Sequence, residues 1–166
     1  MSDATEVIDT SDSGGQPLIA ISSCLLGERV RFDGGHKRDN WLINDLGRYV
    51  EFKAICPEVA IGLGVPRPPI RLVAHDGGVR AQGVKDASID VTDRLLDFAW
   101  QTVPQLDQVS GYVLKSKSPS CGMERVKVYQ DGGMPSNQGV GLHAKVVLEA
   151  LPSLPVEEEG RLHDPV

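Results

Sequence analysis

Three short apolar runs constrain this chain most, because each leads into one of its three cysteines. Leu18-Ile19-Ala20-Ile21-Ser22-Ser23 runs straight into Cys24, and Phe52–Ile55 into Cys56. Val109–Leu114 leads into the polar stretch Lys115-Ser116-Lys117-Ser118-Pro119-Ser120-Cys121. Short continuous apolar runs of this kind suit buried strands of a parallel sheet. Helical patterns alternate with them. Asn40 is expected to cap a helix running to about Val50, with Trp41, Leu42, Leu46 and Val50 on its apolar face. A second helix is expected over Ser88–Gln108, interrupted by Pro104, and a third over Gly139–Leu151. The alternation predicts an α/β domain with a mainly parallel, open, Rossmann-like sheet and helices on its faces. Sites in such sheets form at the carboxyl ends of the strands. Cys24, Cys56 and Cys121 all fall at that edge, so three positions far apart in the chain are expected to converge.

The remaining segments read as connections. Leu25–Lys37 is a loop around the Asp33-Gly34-Gly35 turn, with Arg29, Arg31, His36 and Lys37 nearby. Pro66-Arg67-Pro68-Pro69 enforces an extended path. Ile70–Ala74 and Gly78–Gln82 predict a hairpin, Arg125–Tyr129 a short strand, and Met134–Asn137 a loop. Residues 152–163 form a Pro-bounded tail with a short final helix. Residues 1–16 are polar and acidic and are expected to be a disordered leader. Residues 17–163 are expected to form a single domain.

Charge narrows the partners. The formal net charge is −6 over 166 residues. Acidic residues without bases dominate residues 1–16, and an acidic excess also marks residues 157–166. The body between them is near neutral, unlike a duplex-binding domain. A small molecule, or one exposed nucleotide, fits better, and no stable nucleic-acid complex or obligate protein partner is implied. No apolar run has membrane-spanning length, and the N-terminus lacks the pattern of a signal peptide. A cytoplasmic protein follows as the expectation.

Three thiols in a reducing compartment form no disulfide framework. Structural zinc prefers four closed ligands, often in CxxC pairs, and no CxxC occurs here. A redox pair would leave a spectator thiol, and a lone nucleophile lacks a local motif. An iron–sulfur cluster with three thiolates leaves one iron open, a soft Lewis acid suited to a sulfur-bearing substrate. Ligand counting leaves these alternatives open.

Five motifs then occur in order. They are Ile21-Ser22-Ser23-Cys24-Leu25-Leu26-Gly27, Val30-Arg31-Phe32-Asp33-Gly34-Gly35, Cys56-Pro57-Glu58-Val59, Pro66-Arg67-Pro68-Pro69 and Ser118-Pro119-Ser120-Cys121-Gly122. Over residues 17–163 the chain resembles the thiouracil desulfidase family in its short, single-domain form. The resemblance implies a 4Fe–4S cluster held by Cys24, Cys56 and Cys121 with one open iron. It implies non-redox desulfuration of 2- or 4-thiouracil, or the corresponding nucleoside or nucleotide, with release of hydrogen sulfide. Glu58 and Ser118 take the family's catalytic positions. Residue chemistry adds Lys115 and Lys117 as donors to the ring or a developing anion, and Ser23 as a donor to a cysteinyl sulfur. Arg67 and His36 are candidates for a ribose phosphate. The alternative from another class is a non-catalytic iron–sulfur or sulfur-carrier protein.

Overall fold

The computed structural model describes residues 15–164. The leader expected over residues 1–16 therefore lies, apart from its last two residues, outside the described residues. The strands and helices follow in chain order as β1 Leu18–Ser22, α1 Asn40–Asn44, β2 Glu51–Ile55, α2 Pro57–Ala60, β3 Ile70–His75, β4 Gly78–Gly83, α3 Thr92–Thr102, β5 Gly111–Leu114, β6 Val126–Tyr129, β7 Ser136–Gly139, α4 Leu142–Ala150, β8 Val156–Glu158 and α5 Glu159–Leu162.

The three cysteine-bearing runs sit side by side. One four-stranded sheet has the order β2-β1-β5-β8, and every pairing in it is parallel. Ser22 lies opposite Ile55, and Ile21 opposite Val113, so the carboxyl ends of the central strands are level. The pleat sends alternate residues to opposite faces. Ala20, Tyr112 and Leu114 enter one core with Ala144 and Val147 of α4. Ile21 and Val113 enter the other, with Leu25 and Leu42 of α1. Both faces are covered, as a parallel sheet requires.

A second four-stranded sheet, of order β4-β3-β6-β7, is mixed. The predicted hairpin forms its β3–β4 edge, β3 and β6 run parallel, and β6 and β7 antiparallel. Its core joins Leu72, Ala81 and Val126 to Val91, Leu95 and Leu142. The α/β reading stands, but the strands divide between two sheets. The loop expected over Met134–Asn137 overlaps β7, a polar strand whose Ser-Asn-Gln-Gly sequence has no apolar alternation to show it. The Pro-bounded tail contains β8, which adds to the edge of the parallel sheet.

Two helix boundaries differ from expectation. Asp39, not Asn40, caps α1: its Oδ1 accepts from Leu42 N at 3.1 Å. The helix stops at Asn44, and a separate 3-10 turn covers Leu46–Arg48. The long helix begins at Thr92 because residue 90 is held by the second sheet. Asp90 takes two bonds from Arg80, at 2.6 and 3.2 Å, and one from Thr92 N at 3.0 Å. Thr92 Oγ1 in turn accepts from Ala81 N at 2.8 Å. At the other end, Val103–Gln108, which contains Pro104, tightens into 3-10 geometry.

One buried group gives the fold a pH dependence. His143 of α4 is fully buried, stacks on Phe98 and shares a 3.1 Å bond between its Nε2 and Tyr112 Oη. Its Nδ1 has no partner among the described residues. Burial pushes its pKa down from 6.5 to about 4, so the fold favours neutral imidazole. Between those two values the unfolded chain binds the proton and the folded chain does not. Stability is therefore full above pH 6.5 and is lost as pH falls towards 4, by about 3 kcal/mol in all. About 2 kcal/mol of this is expected between pH 7 and pH 5. Urea unfolding of the wild type and of His143→Gln at both pH values, in the same cluster-loading state, checks it. Equal losses in the two proteins would remove His143 as the cause.

Candidate active site

The sequence builds the site from three chain reversals. The residues after β1 turn at once into a 3-10 turn, Ser23–Leu26, which Gly27 ends in a left-handed conformation (φ 89°). Cys24 sits in that turn, and its carbonyl accepts from Gly27 N and from Lys37 N, tying down the following loop. Cys56 ends β2 as the N-cap of the short helix α2, whose first residue is Pro57. Cys121 lies further from its strand and is brought back by the loop 115–122.

That loop is held by the start of α4. Gly141 N donates to Gly122 O at 2.7 Å, Leu142 N to Pro119 O at 3.1 Å, and His143 N to Ser120 O at 3.0 Å. The orphan amides of the helix N-terminus are thus satisfied by the loop that carries Cys121. The approach demands glycine. A Cβ on Gly141 would lie 2.6 Å from the Ser120 carbonyl and 2.8 Å from Cys121 N.

These elements enclose a cavity of about 340 Å³. Cys24, Cys56 and Cys121 line it together with Ser23, Glu58, Arg67, Lys115, Lys117 and Ser118. Ser22, Arg31, Phe32 and Lys37 also line it. His36 is the exception among the expected residues. It is absent from the wall, and its exposed ring accepts at Nδ1 from Arg38 N at 3.1 Å.

All three thiols are free. Burial pushes each of them up, Cys121 to about 12. Positive charge on Arg31 and Lys115 works against this at Cys24, and the amides of Val59 and Glu58 work against it at Cys56. At Cys121 the hydroxyls of Ser22 and Ser120 do so. Cys56 lies close enough to raise both of the others by its charge. Three thiols facing one cavity, those of Cys24 and Cys121 buried and that of Cys56 half-buried, become thiolates when a cation is present to hold them. No group of three His, Cys, Asp or Glu among the described residues closes around a single ion. Three thiols lining one cavity are a soft donor set of the kind an iron–sulfur cluster takes.

The polar wall differs in detail from the expected one. The hydroxyl that bonds a cysteinyl sulfur is that of Ser120 rather than Ser23: Ser120 Oγ donates to Cys121 Sγ at 3.8 Å. Ser22 Oγ accepts from Lys115 N at 3.0 Å, tying the end of β1 to the start of the Cys121 loop. Ser118 Oγ accepts from Cys121 N at 3.0 Å and Ser120 N at 3.3 Å, so its oxygen shapes the ligand loop. Arg67 is turned to Glu58: Nη2 donates to Oε2 at 2.5 Å, and Nη1 to Gly64 O at 2.9 Å. The pair is buried, with side chains 3% and 15% exposed. Arg67 is therefore a partner of Glu58 and is not free for a phosphate.

Further cations lie next door. A second cavity of about 630 Å³ shares Ile70, Lys117 and Pro119 with the first. Arg71, Lys117, Arg125, Lys127 and Tyr129 line it. The Arg71 guanidinium stacks over the Tyr129 ring at 4.5 Å, and its Nε is buried without a partner among the described residues. Lys117, at the junction, has φ 62°, a left-handed conformation uncommon for a residue with a side chain.

The family model of the 2-thiouracil desulfurases matches residues 19–159. The chain belongs to that family. Its desulfurase fold also superposes on the solved structure of the 4Fe–4S-dependent thiouracil desulfidase TudS, with a TM-score of 0.71 and 30% identity. That match covers 89% of this chain and 93% of TudS. Uncharacterized protein YbbK of Bacillus subtilis (strain 168) is 31% identical over 113 residues, 63% of this chain and 73% of YbbK. No helix among the described residues is long and apolar enough to cross a membrane.

Proposed function

We propose that this desulfurase removes sulfur from thiopyrimidines without net redox change. The substrates are 2- or 4-thiouracil or the corresponding nucleoside or nucleotide, and water converts the thiocarbonyl to a carbonyl with release of hydrogen sulfide. The observation that carries the reading is one cavity walled by all three thiols and by the buried Glu58–Arg67 pair. Cys24, Cys56 and Cys121 would hold a 4Fe–4S cluster. When bound, it supplies a soft Lewis-acidic iron that draws electron density from the thiocarbonyl through sulfur.

The chain's own residues do the rest. Glu58 Oε2 is fixed by Arg67, which leaves Oε1 to take a proton from the attacking water. Ser118 holds the Cys121 loop and faces the cavity, where its hydroxyl can meet the ring. The cationic groove beyond Lys117 favours the nucleotide, whose phosphate would reach Arg71, Arg125 and Lys127.

Anaerobically reconstituted protein incubated with 4-thiouracil and with its 5′-monophosphate is expected to consume the near-ultraviolet band of both and to release sulfide. The nucleotide should show a KM lower by about tenfold, the scale of one charge-assisted contact. An intact cluster with no loss of either band and no sulfide supports the non-catalytic iron–sulfur or sulfur-carrier reading instead. Equal KM values would remove the groove from substrate binding.

A further inference from the structure

Glu159 was invisible as a site residue, because it lies in the acidic tail beyond all five motifs. The parallel pairing of β8 with β5 changes its surroundings. Leu114 stands opposite Glu158, so Lys115 and Glu159 leave the sheet side by side. The Glu159 side chain is 14% exposed, and its carboxylate is fully engaged. Oε1 accepts from Lys115 Nζ at 2.7 Å and from Ser116 Oγ at 2.7 Å, and Oε2 accepts from Ser116 N at 2.8 Å. Burial alone would push this carboxyl up, but the bonds from Lys115 and Ser116 outweigh it and hold it below its ordinary value.

The three donors belong to the loop that forms one wall of the cavity. Glu159 itself is not part of that wall. Lys115 Nζ meets Glu159, Ser116 O at 3.0 Å and Ser116 Oγ at 3.1 Å, so its donors are turned into the loop. Ser116, pinned from behind, directly precedes Lys117, which takes its left-handed conformation at the junction of the two cavities. A loop held at one end by Glu159 and at the other by the start of α4 has little freedom left between Ser116 and Cys121.

We propose that Glu159 is a positioning residue: by binding Lys115 and Ser116 it sets the loop that presents Lys117 and Ser118 to the substrate. The inference rests on the desulfuration reading. Groups that orient substrate- or metal-contacting residues contribute about 10–100-fold to affinity or activity. Glu159→Gln, reconstituted anaerobically, is therefore expected to lose about 10–100-fold in kcat/KM. Its iron and labile-sulfide content should match the wild type, because no cluster ligand is touched. The holoenzyme's dissociation constant for uridine 5′-monophosphate, read by calorimetry, should rise with KM.

Lys115→Met and Ser116→Ala, each of which removes part of the carboxylate's contacts, should move kcat/KM in the same direction. Lys115→Met combined with Glu159→Gln should be less damaging than the product of the two single effects. Wild-type kcat/KM and nucleotide affinity in Glu159→Gln overturn the inference alone. If Glu159→Gln does not fold, wild-type values in both other single variants overturn it. Thiouracil left untouched by the cluster-loaded wild type overturns the desulfuration reading and this inference with it.

Discussion

Cys121→Ala protein, purified and reconstituted anaerobically, is expected to carry no stable 4Fe–4S cluster and to leave 4-thiouracil unchanged. Cys24→Ala and Cys56→Ala should behave alike, since three ligands leave none to spare. The fold should survive. The main anchors of the Cys121 loop are backbone bonds to Gly141, Leu142 and His143, and none of them passes through the sulfur. Removing one buried sulfur leaves a small void, at a cost of about 1–2 kcal/mol. Far-ultraviolet circular dichroism should therefore match the wild type while iron, labile sulfide and activity fall to background. A cysteine variant with a full complement of iron and undiminished turnover would falsify its assignment as a ligand.

Glu58→Gln should keep its cluster and lose rate by about 10²–10⁴-fold in kcat, the range of a positioned acid–base group. Glutamine is the cleaner probe because of Arg67. That guanidinium is almost wholly buried, and alanine at position 58 would leave its charge unpaired. Stranding a buried charge in this way costs about 3–5 kcal/mol. A glutamine carbonyl still accepts from Arg67 Nη2 but cannot take a proton from water. Turnover numbers and cluster absorbance measured on the same preparation separate the two effects. Wild-type kcat in Glu58→Gln would exclude the carboxylate from proton transfer.

Local sequence carried a great deal of this. The three apolar runs, their termination at Cys24, Cys56 and the loop to Cys121, and the proline after Cys56 are all short-range signals. A strand's period, a helix's period and a turn residue's φ preference are encoded within a few neighbours. Once those runs are parallel neighbours, Cys24 and Cys56 fall at one edge, and the loop held by the start of α4 brings Cys121 to the same cavity. The same locality explains the errors. Asp39 and Asn40 are both good caps, and only the path of the entering chain selects between them. Residues 88–91 resemble the start of a helix until Asp90 is captured by Arg80 from β4. β7 is a strand because β6 lies beside it.

Within the site, the division falls in the same place. The sequence by itself supplied the three soft donors, a matter of residue type and position after the strands, and its resemblance to the family singled out Glu58 and Ser118 as candidates. Tertiary structure alone decided the partners. It turned Arg67 from a substrate phosphate to Glu58, left His36 outside, and gathered Arg71, Lys117, Arg125 and Lys127 into one groove. It also carried Glu159 to Lys115 across more than 40 positions. Such contacts depend on strand order and register, which are global properties. An ion pair or hydrogen bond is won by whichever group the fold delivers within about 3 Å, and no local pattern records that distance.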